Sequence, residues 1–335
     1  MCFPFPRSPE SVGNEKDVPF FGNDLKENVL SFFALRENVQ IENIAIGVFD
    51  GLHLGHQKIL QTLLSQGNSE NCLVLSFDPH PLVIISPEQA PPMLISLAQK
   101  KNLLHLYGIS HVLFIQFDQR FRQLTAEAFL TGLKQIFPRL KTIVVGEDFR
   151  FGWHAEGNVN FLKEMGKKLK FETLVVPPLT FNGEPIASTR IRKAIIERNF
   201  GLASELIGRS YRIEGVVTTG QGAGKEIGFP TANLKDVVQL LPPSGVYGCQ
   251  VEYKKEIFLG VVNHGRRPTI QEEGKLVIEV HLLNFKGNLY GEKLSLFNFL
   301  FLREEKKFDS LYALKSQIEK DIQRTKEFFL PKFPQ

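Results

Sequence analysis

The sequence predicts an α/β doubly wound parallel-sheet domain, followed by an antiparallel β-barrel domain with a C-terminal helix. Three observations lead to this prediction. The 335 residues are enough for about two domains of ordinary size. Between residues 44 and 200, short apolar runs alternate with amphipathic segments, which is typical of βαβ units. After residue 211, strand-like runs follow one another across turns that contain Gly and Asn, which favours a barrel or a sandwich.

The first domain is predicted to contain five strands, which are short and apolar enough to be covered on both faces. These strands lie at 44–49, 72–77, 111–117, 142–146 and 172–176. The helices between and after them are predicted at 56–65, 96–107, 125–137, 159–169 and 188–199. A short helix is also predicted around Val29 to Leu35, and residues 200–209 are predicted to be a connector.

The second domain is predicted to be built mainly from strands that alternate apolar and polar residues. These strands lie at 211–218, 246–253, 256–263, 276–284 and 293–301, and a helix runs from about Ser310 to Phe328. We therefore expect an N-terminal extension of unknown role at 1–40, one domain at 41–200 and a second at 201–335.

Composition argues against several classes of protein. The net charge is +4, from 40 basic and 36 acidic residues, without the basic arm of a nucleic-acid-binding protein. The apolar runs are far shorter than the ~20 residues of a membrane span, and the N-terminus does not resemble a secretory signal. Three cysteines, Cys2, Cys72 and Cys249, form no CxxC pair, which favours a reducing cytoplasm. We expect no nucleic-acid partner and no membrane, and the oligomeric state cannot be read.

The first candidate site, GVFDGLHLGH at 47–56, joins the first strand to a helix. Ligands bind at the carboxyl ends of strands in such sheets, and the N–H groups of a helix start favour an anion. The expected phosphate-binding residues are Gly47, Phe49, Asp50, Gly51 and Gly55, with His53 and His56 as catalytic residues. Two alternatives stay open: a metal bound by the two histidines, or histidines that cap a tight turn.

A second motif, STRIR at 188–192, opens the last predicted helix of this domain. Ser188 and Thr189 are predicted to cap that helix near the phosphate site, and Arg192 can hold a triphosphate through paired donors. The alternative is an ordinary capped basic helix. Together, the two motifs resemble the HxGH-type nucleotidylyltransferase superfamily, whose members transfer AMP or CMP from a nucleoside triphosphate.

Two further motifs, FDPHP at 77–81 and GEDFRFG at 146–152, follow the second and fourth strands. Both mix Phe with charged residues, which suits an aromatic ligand that carries phosphate, although each could be a loop packed by its own phenylalanines. With the preceding motifs they resemble the adenylyltransferase module of bacterial FAD synthetase. The expected flavin-binding residues are Phe77, Asp78, Pro79, His80, Asp148, Phe149 and Arg150.

The second candidate site begins with GQGAGKEIGFPTAN at 220–233. Its glycines can approach a phosphate, so Gly222, Gly224 and Lys225 are expected to bind nucleotide. Thr231 and Asn233 offer two hard oxygen ligands for Mg²⁺, and on a strand they would share one side. Glu279 lies in an apolar strand and could accept the proton of a hydroxyl. A flexible turn before an edge strand and an exposed Glu are the alternatives.

This half of the chain resembles riboflavin kinase. The matching motifs are PTAN, GVYG at 245–248, RPT at 267–269, an ExH strand, LYG at 289–291 and a run at 302–311. Across 44–328 the chain therefore resembles the bacterial bifunctional riboflavin kinase/FAD synthetase family. The resemblance implies that ATP and Mg²⁺ serve to phosphorylate riboflavin to FMN, and that ATP then adenylylates FMN to FAD. Rival hypotheses are an adenylyltransferase for another substrate, a flavin-binding or regulatory protein without catalysis, and a β-barrel nucleic-acid-binding module, which the near-neutral charge of each half disfavours.

Four positions depart from the commonest family pattern. Val48 replaces Asn and Ala187 replaces Ser in the first half, and His264 replaces Ile and Asn284 replaces Asp in the second half. The family's known residues are therefore expected at most but not all motif positions.

Overall fold

The computed structural model describes residues 29–38, 40–219, 228–266 and 276–330. It confirms the predicted fold class. A six-stranded parallel sheet with helices on both faces is followed by a closed six-stranded antiparallel barrel and a C-terminal helix.

In the parallel sheet, the direction in which successive strands are added reverses at the second strand. Its strands are β1 (Val29–Leu30), β2 (Asn43–Ile46), β3 (Cys72–Asp78), β4 (His111–Gln116), β5 (Thr142–Gly146) and β6 (Glu172–Val176). They are ordered β1-β4-β3-β2-β5-β6. The chain adds β3 and β4 on one side of β2 and then β5 and β6 on the other. Because such a reversal opens a crevice at the carboxyl ends of the strands, a ligand site is expected next to β2.

Two layers of helices cover this sheet. The helices of this part of the chain are α1 (Leu54–Leu64), α2 (Pro81–Ile85), α3 (Leu97–Leu106), α4 (Gln119–Arg122), α5 (Ala126–Ile136), α6 (Val159–Leu169), α7 (Ser188–Ile196) and α8 (Phe200–Ile207), of which α7 and α8 pack towards the barrel. Alternate residues of β2 face opposite layers, since side chains of a strand alternate. Ile44 and Ile46 belong to the buried cluster that includes α5 and α6, whereas Ala45 belongs to the cluster that includes α1 and α3. A small hairpin, β7 (Thr180–Phe181) with β8 (Glu184–Pro185), precedes α7.

Two predictions for this domain are wrong. The expected helix around Val29 to Leu35 is instead strand β1 and a 3₁₀ turn, because Val29 and Leu30 pair with β4 and Phe32 packs among buried rings. The expected connector at 200–209 is mostly helix α8. Asn199 caps this helix, and its apolar residues, spaced at three and four, pack against the barrel.

The second domain is a closed barrel rather than a sandwich. Its strands are β9 (Arg212–Thr218), β10 (Ala232–Lys235), β11 (Gly245–Tyr253), β12 (Glu256–Arg266), β13 (Leu276–Leu282) and β14 (Lys293–Arg303). Closure follows the order β10-β13-β12-β11-β14-β9, and every pair is antiparallel. Helix α9 (Leu311–Phe329) contacts β11, β12 and β14 and is held by an ion pair between Arg303 and the buried Asp321.

The two domains share one apolar core. Residues of α7 and α8, such as Ile191 and Leu206, lie in the same buried cluster as the barrel interior. Polar contacts add to this junction: Gln239 donates to Gln99 across 2.8 Å. Within the ranges that the structure describes, no helix combines the length and the apolar character needed to cross a bilayer.

Candidate active sites

A cavity of about 1100 Å³ lies at the carboxyl ends of β2, β3 and β5. It brings the four motifs of the first domain together, although they are separated by up to about 140 residues of chain. The predicted residues that line it are Gly47, Phe49, His53, Gly55, His56, Phe77, His80, Asp148, Phe149, Arg150, Ser188 and Thr189. Asp50, Gly51, Asp78, Pro79 and Arg192 lie outside the lining.

The loop between β2 and α1 has an unusual backbone. Phe49 and Leu52 have φ angles of 52° and 40°, and Gly51 has a φ of 81°. The left-handed region costs a residue other than glycine ~1–2 kcal/mol. Phe49 and Leu52 are both fully buried, so packing helps to hold this conformation.

Asp50 anchors this loop from behind. Its carboxylate is buried, accepts the backbone N–H of Leu94 at 3.0 Å and forms an ion pair with Arg192. Arg192 also donates to the Pro92 carbonyl at 2.8 Å. In this structure, Arg192 therefore contacts Asp50 and Pro92, and its predicted contact with a triphosphate stays a prediction.

Lys100 lies beneath the same loop, although no sequence motif points to it. Its side chain is 2% exposed, and Nζ donates to the Val48 carbonyl at 2.8 Å. Burial lowers the pKa of Lys100 to about 8, and the charges of Asp50 and Asp78 oppose this shift. Because Lys100 lies 52 positions from Val48 in the chain, no local sequence signal could have revealed the contact.

His53 caps helix α1 and lines the cavity. Its Nδ1 accepts the backbone N–H of His56 at 3.3 Å, so the turn-capping interpretation is correct for His53. In the neutral tautomer that this bond requires, Nε2 carries the proton and is the ring's donor. Burial, followed by the charge of Arg209, lowers the pKa of His53 to about 4.

His56 is a second neutral imidazole next to the first. Burial, together with the charges of neighbouring groups, holds the pKa of His56 well below its usual value. Its Nδ1 is buried and has no hydrogen-bond partner within the described chain, so it is a polar atom that a ligand could satisfy. Among the described residues, no group of three or more His, Cys, Asp or Glu is arranged to hold a metal ion.

The start of α7 differs from the prediction. The N-cap is Ala187, which forms no side-chain cap, and Ser188 is the first helical residue. The predicted capping by Ser188 and Thr189 is wrong because the Ser188 hydroxyl donates to the Asp50 carbonyl at 2.9 Å instead. The first-turn N–H groups of α7 therefore lack a side-chain cap beside the cavity, which favours an anion there.

Phenylalanines form one wall of the cavity. The lining phenylalanines include Phe77, Phe117, Phe121, Phe129, Phe149 and Phe151. Phe149 and Phe151 stack with their centroids 5.2 Å apart, and Phe77 meets Phe117 edge-on at 5.8 Å. His80 caps α2 by accepting the Leu82 N–H at 3.2 Å.

Trp153 and Arg122 also line this cavity, although the sequence analysis selected neither. The Arg122 guanidinium lies 5.6 Å from the centroid of the Trp153 ring. Trp153 directly follows the GEDFRFG motif and is the single Trp of the chain, which was a usable signal. Arg122 had none.

In the barrel, four polar residues from four adjacent strands lie opposite one another. Thr218 pairs with Asn233, which pairs with Glu279, which pairs with Asn263. We call these four residues the polar row. Their neighbours Val217, Leu234 and Val280 belong to the buried core, so the polar row lies on the outer face of the barrel.

The polar row includes two of the predicted site residues of the second domain. Thr231 is exposed and lies two residues before Asn233, directly ahead of β10. The predicted residues Gly222, Gly224 and Lys225, and the RPT turn, lie outside the described residues. Asn263 was missed because its position beside Glu279 depends on strand register, which the sequence does not show.

Two family models match the chain. The FAD synthetase model matches residues 36–190 and the riboflavin kinase model matches residues 207–329. Among curated relatives, the bifunctional riboflavin kinase/FMN adenylyltransferase of Escherichia coli strain K12 is 38% identical over 289 residues, which is 85% of this chain and 92% of the relative. The protein of the same description from Buchnera aphidicola subsp. Schizaphis graminum is 36% identical over 291 residues, or 85% and 93%.

A solved structure is similar over the same extent. It is a crystal structure described as a macrolide-efflux protein from Streptococcus pneumoniae, with a TM-score of 0.76 and 27% identity. The similarity covers 88% of this chain and 97% of that one, so both domains are shared. Taken with the two family models and the curated relatives, these similarities show that the chain belongs to the bifunctional riboflavin kinase/FMN adenylyltransferase family.

Proposed function

We propose that the two activities of this family are carried by two separate sites of the chain. FMN is adenylylated in the cavity beside β2, and riboflavin is phosphorylated at the polar row of the barrel. The observation that carries this assignment is the convergence of four distant motifs on one cavity, while Asn233 and Glu279 pair in the other domain. The matches at 36–190 and 207–329 support a division of the chain near residue 200.

The cavity suits two substrates at once. Its volume of about 1100 Å³ exceeds that of most pockets for one drug-sized ligand, which measure roughly 300–1000 Å³. The phenylalanine wall offers apolar faces to the flavin ring, with Phe77 and Phe149 as the central contacts and Arg150 at the edge. We propose that the loop before His53 and the uncapped start of α7 receive the phosphates, because free N–H groups at a helix start favour anions.

Adenylylation needs charge stabilisation more than proton transfer. A phosphate oxygen of FMN attacks the α-phosphorus of ATP, a new P–O bond forms, and the bond to pyrophosphate breaks. The nucleophile is already an anion, so no general base is required. The neutral Nε2–H of His53 and the first-turn N–H groups of α7 are donors that can stabilise the charge that develops at the α-phosphate.

Phosphorylation uses a base beside a set of hard oxygen atoms. The 5′-hydroxyl of riboflavin attacks the γ-phosphorus of ATP and forms a new P–O bond, the bond to ADP breaks and ADP leaves, and Glu279 accepts the hydroxyl proton. Thr231, Asn233 and Glu279 offer a hydroxyl, an amide and a carboxylate oxygen, which fit Mg²⁺. Thr231 and Asn233 would hold the ion, whose charge offsets that of the transferred phosphate when it is bound. Gly222, Gly224 and Lys225 are proposed to bind the nucleotide.

We also propose that this enzyme works in a reducing cytoplasm. The two cysteines that the structure describes, Cys72 and Cys249, are free and buried, and burial raises the pKa of both thiols. Buried neutral thiols of this kind pack as small apolar side chains.

The direct test incubates the full chain with riboflavin, ATP and Mg²⁺ and separates the flavins by chromatography. FMN should form first and FAD later, and FMN supplied alone should yield FAD and pyrophosphate. Chelating Mg²⁺ should stop FMN formation. A protein that forms neither FMN nor FAD contradicts the function, and binding of riboflavin without turnover supports the non-catalytic alternative.

A further inference from the structure

Arg209 joins the segment before the barrel to the loop of the first cavity. It lies between α8 and β9, more than 150 positions after that loop in the chain. Its guanidinium donates to the carbonyl of Gly51 at 2.8 Å and to the carbonyl of Leu52 at 3.1 Å. Both carbonyls belong to the two residues that directly precede His53.

A second donor supports the same turn. Gln57 of α1 is buried, and its Nε2 donates to the Leu52 carbonyl at 2.9 Å and to the Ile207 carbonyl at 2.8 Å. The end of the loop is thus linked through Gln57 to the last residue of α8, and it is bonded directly to Arg209 in the segment that follows α8. These contacts come from the side of the molecule that leads into the barrel.

The turn needs this support because of its backbone. Leu52 is not a glycine, yet it has a φ of 40°, a conformation that costs ~1–2 kcal/mol. A hydrogen bond to a charged donor contributes about 1.5–3 kcal/mol, which is enough to offset that cost. Because His53 follows Leu52 directly and caps α1, a turn that relaxes would move the imidazole away from the cavity.

Arg209 also influences the state of His53. After burial, the charge of Arg209 is the second cause of the low pKa of this histidine. A cation at this place therefore disfavours protonation of His53 and keeps the ring a neutral donor.

We propose that Arg209 is a positioning residue of the adenylylation site, which fixes the Gly51–Leu52 turn and thereby the imidazole of His53. This inference rests on the assignment of FMN adenylylation to the cavity beside β2. It means that the segment leading into the kinase domain completes the site of the first domain, although it contacts no substrate.

The test compares three variants of the full chain. Arg209→Gln should lower kcat for FMN adenylylation by about ten- to a hundredfold, since small displacements of a catalytic group have effects of this size. The KM for FMN should change by less than about threefold, because His53 is expected to act mainly in the transition state. Riboflavin phosphorylation should stay at the wild-type rate. Arg209→Lys should recover part of the lost kcat, because one ammonium group can still donate to these carbonyls.

Arg198→Gln is the matched control. Arg198 also lies at the junction of the domains, where it pairs with Glu304 at 2.7 Å and donates to the Ser244 carbonyl at 3.0 Å. It makes no bond to the loop before His53, so its loss should leave the adenylylation rate unchanged. A drop as large as that of Arg209→Gln would overturn the inference in favour of a general effect of the junction.

Other outcomes are equally decisive. A folded Arg209→Gln protein with the wild-type kcat for adenylylation contradicts the inference, as does a parallel loss of both activities. If Arg209→Gln does not fold, Arg209→Lys decides: a selective loss of adenylylation supports the positioning role of Arg209, and the wild-type rate overturns it.

His53→Ala distinguishes a failure of the site assignment from a failure of the role of Arg209. If it leaves adenylylation intact, the site assignment fails, whereas a loss in His53→Ala with a normal Arg209→Gln contradicts only the role of Arg209.

Discussion

The imidazole rings of His53 and His56 stack with their centroids 3.7 Å apart and their planes 18° apart. Two protonated rings at this distance would repel each other, and each ring lowers the chance that the other is charged. His53 is buried, His56 is half-buried with its Nδ1 inside, and the pKa of each ring is lowered, so both enter the reaction as neutral groups at neutral pH.

The free energy of unfolding should therefore decrease as the pH is lowered, over the range between the pKa of His53 in the unfolded chain and its pKa in the folded chain. Its pKa is about 4 in the folded chain against 6.5 as the ordinary value, so below pH 6.5 the unfolded chain takes up a proton that the folded chain refuses. The stabilisation is present above pH 6.5 and is lost as the pH falls towards 4, by an amount on the order of 3 kcal/mol. Urea unfolding at several pH values measures it.

The control for this prediction is His53→Asn, which keeps an acceptor for the His56 N–H but cannot titrate. Its free energy of unfolding should decline less than that of the wild type between pH 6.5 and 4. Equal declines in the two proteins would show that His53 is not protected from protonation.

Asp50→Asn should destabilise the first domain by about 3 kcal/mol, because it leaves the Arg192 guanidinium without its anion behind the loop. Chemical denaturation checks the value. Asp148→Asn is the control, since Asp148 is an exposed carboxylate in another loop of the same cavity and should change stability by less than about 0.5 kcal/mol. Equal effects of the two changes would contradict the anchoring role of Asp50.

Gly55→Ala should lower adenylylation by about tenfold without loss of stability. A Cβ atom at this position would lie 3.1 Å from Cε1 of His53, so the imidazole must shift. Gly201→Ala is closely matched, because Gly201 is also the second residue of a helix and its added Cβ meets only Asn199 at 3.8 Å. Both changes favour the helix. A normal adenylylation rate in Gly55→Ala would mean that the position of His53 is not critical.

Thr231→Val should raise the Mg²⁺ concentration needed for half-maximal riboflavin phosphorylation by about tenfold or more, since it removes a hard oxygen ligand and keeps the shape. Thr231 is exposed, so the variant should fold. The adenylylation rate of the same protein is the internal control and should not change. An unaltered Mg²⁺ requirement would exclude Thr231 as a ligand.

Local pattern was enough to predict most of the sheet and the place of its motifs. The strands around Ile44 and Val144 are continuous apolar runs, and the loops that follow parallel strands must meet at one edge. For this reason Gly47, Phe77 and Phe149 could be assigned to one site without any knowledge of the contacts between them.

The sequence could not predict contacts between distant segments. Ser188 follows the pattern of an N-cap, yet its hydroxyl bonds to Asp50, which lies 138 positions earlier. Lys100 looks like an ordinary helix-surface lysine until its bond to Val48 is known. Likewise, Asn263 stands beside Glu279 only because the barrel closes in one register.

We expect this one chain to hold two separate sites, each with its own reaction, and a pair of variants distinguishes them. Glu279→Ala and His53→Ala are each assayed in the full, folded chain for riboflavin phosphorylation and for FMN adenylylation. Glu279→Ala should lower phosphorylation by at least about a hundredfold and leave adenylylation unchanged, and His53→Ala should do the reverse. Loss of both activities in either folded variant, or of neither, would contradict the account.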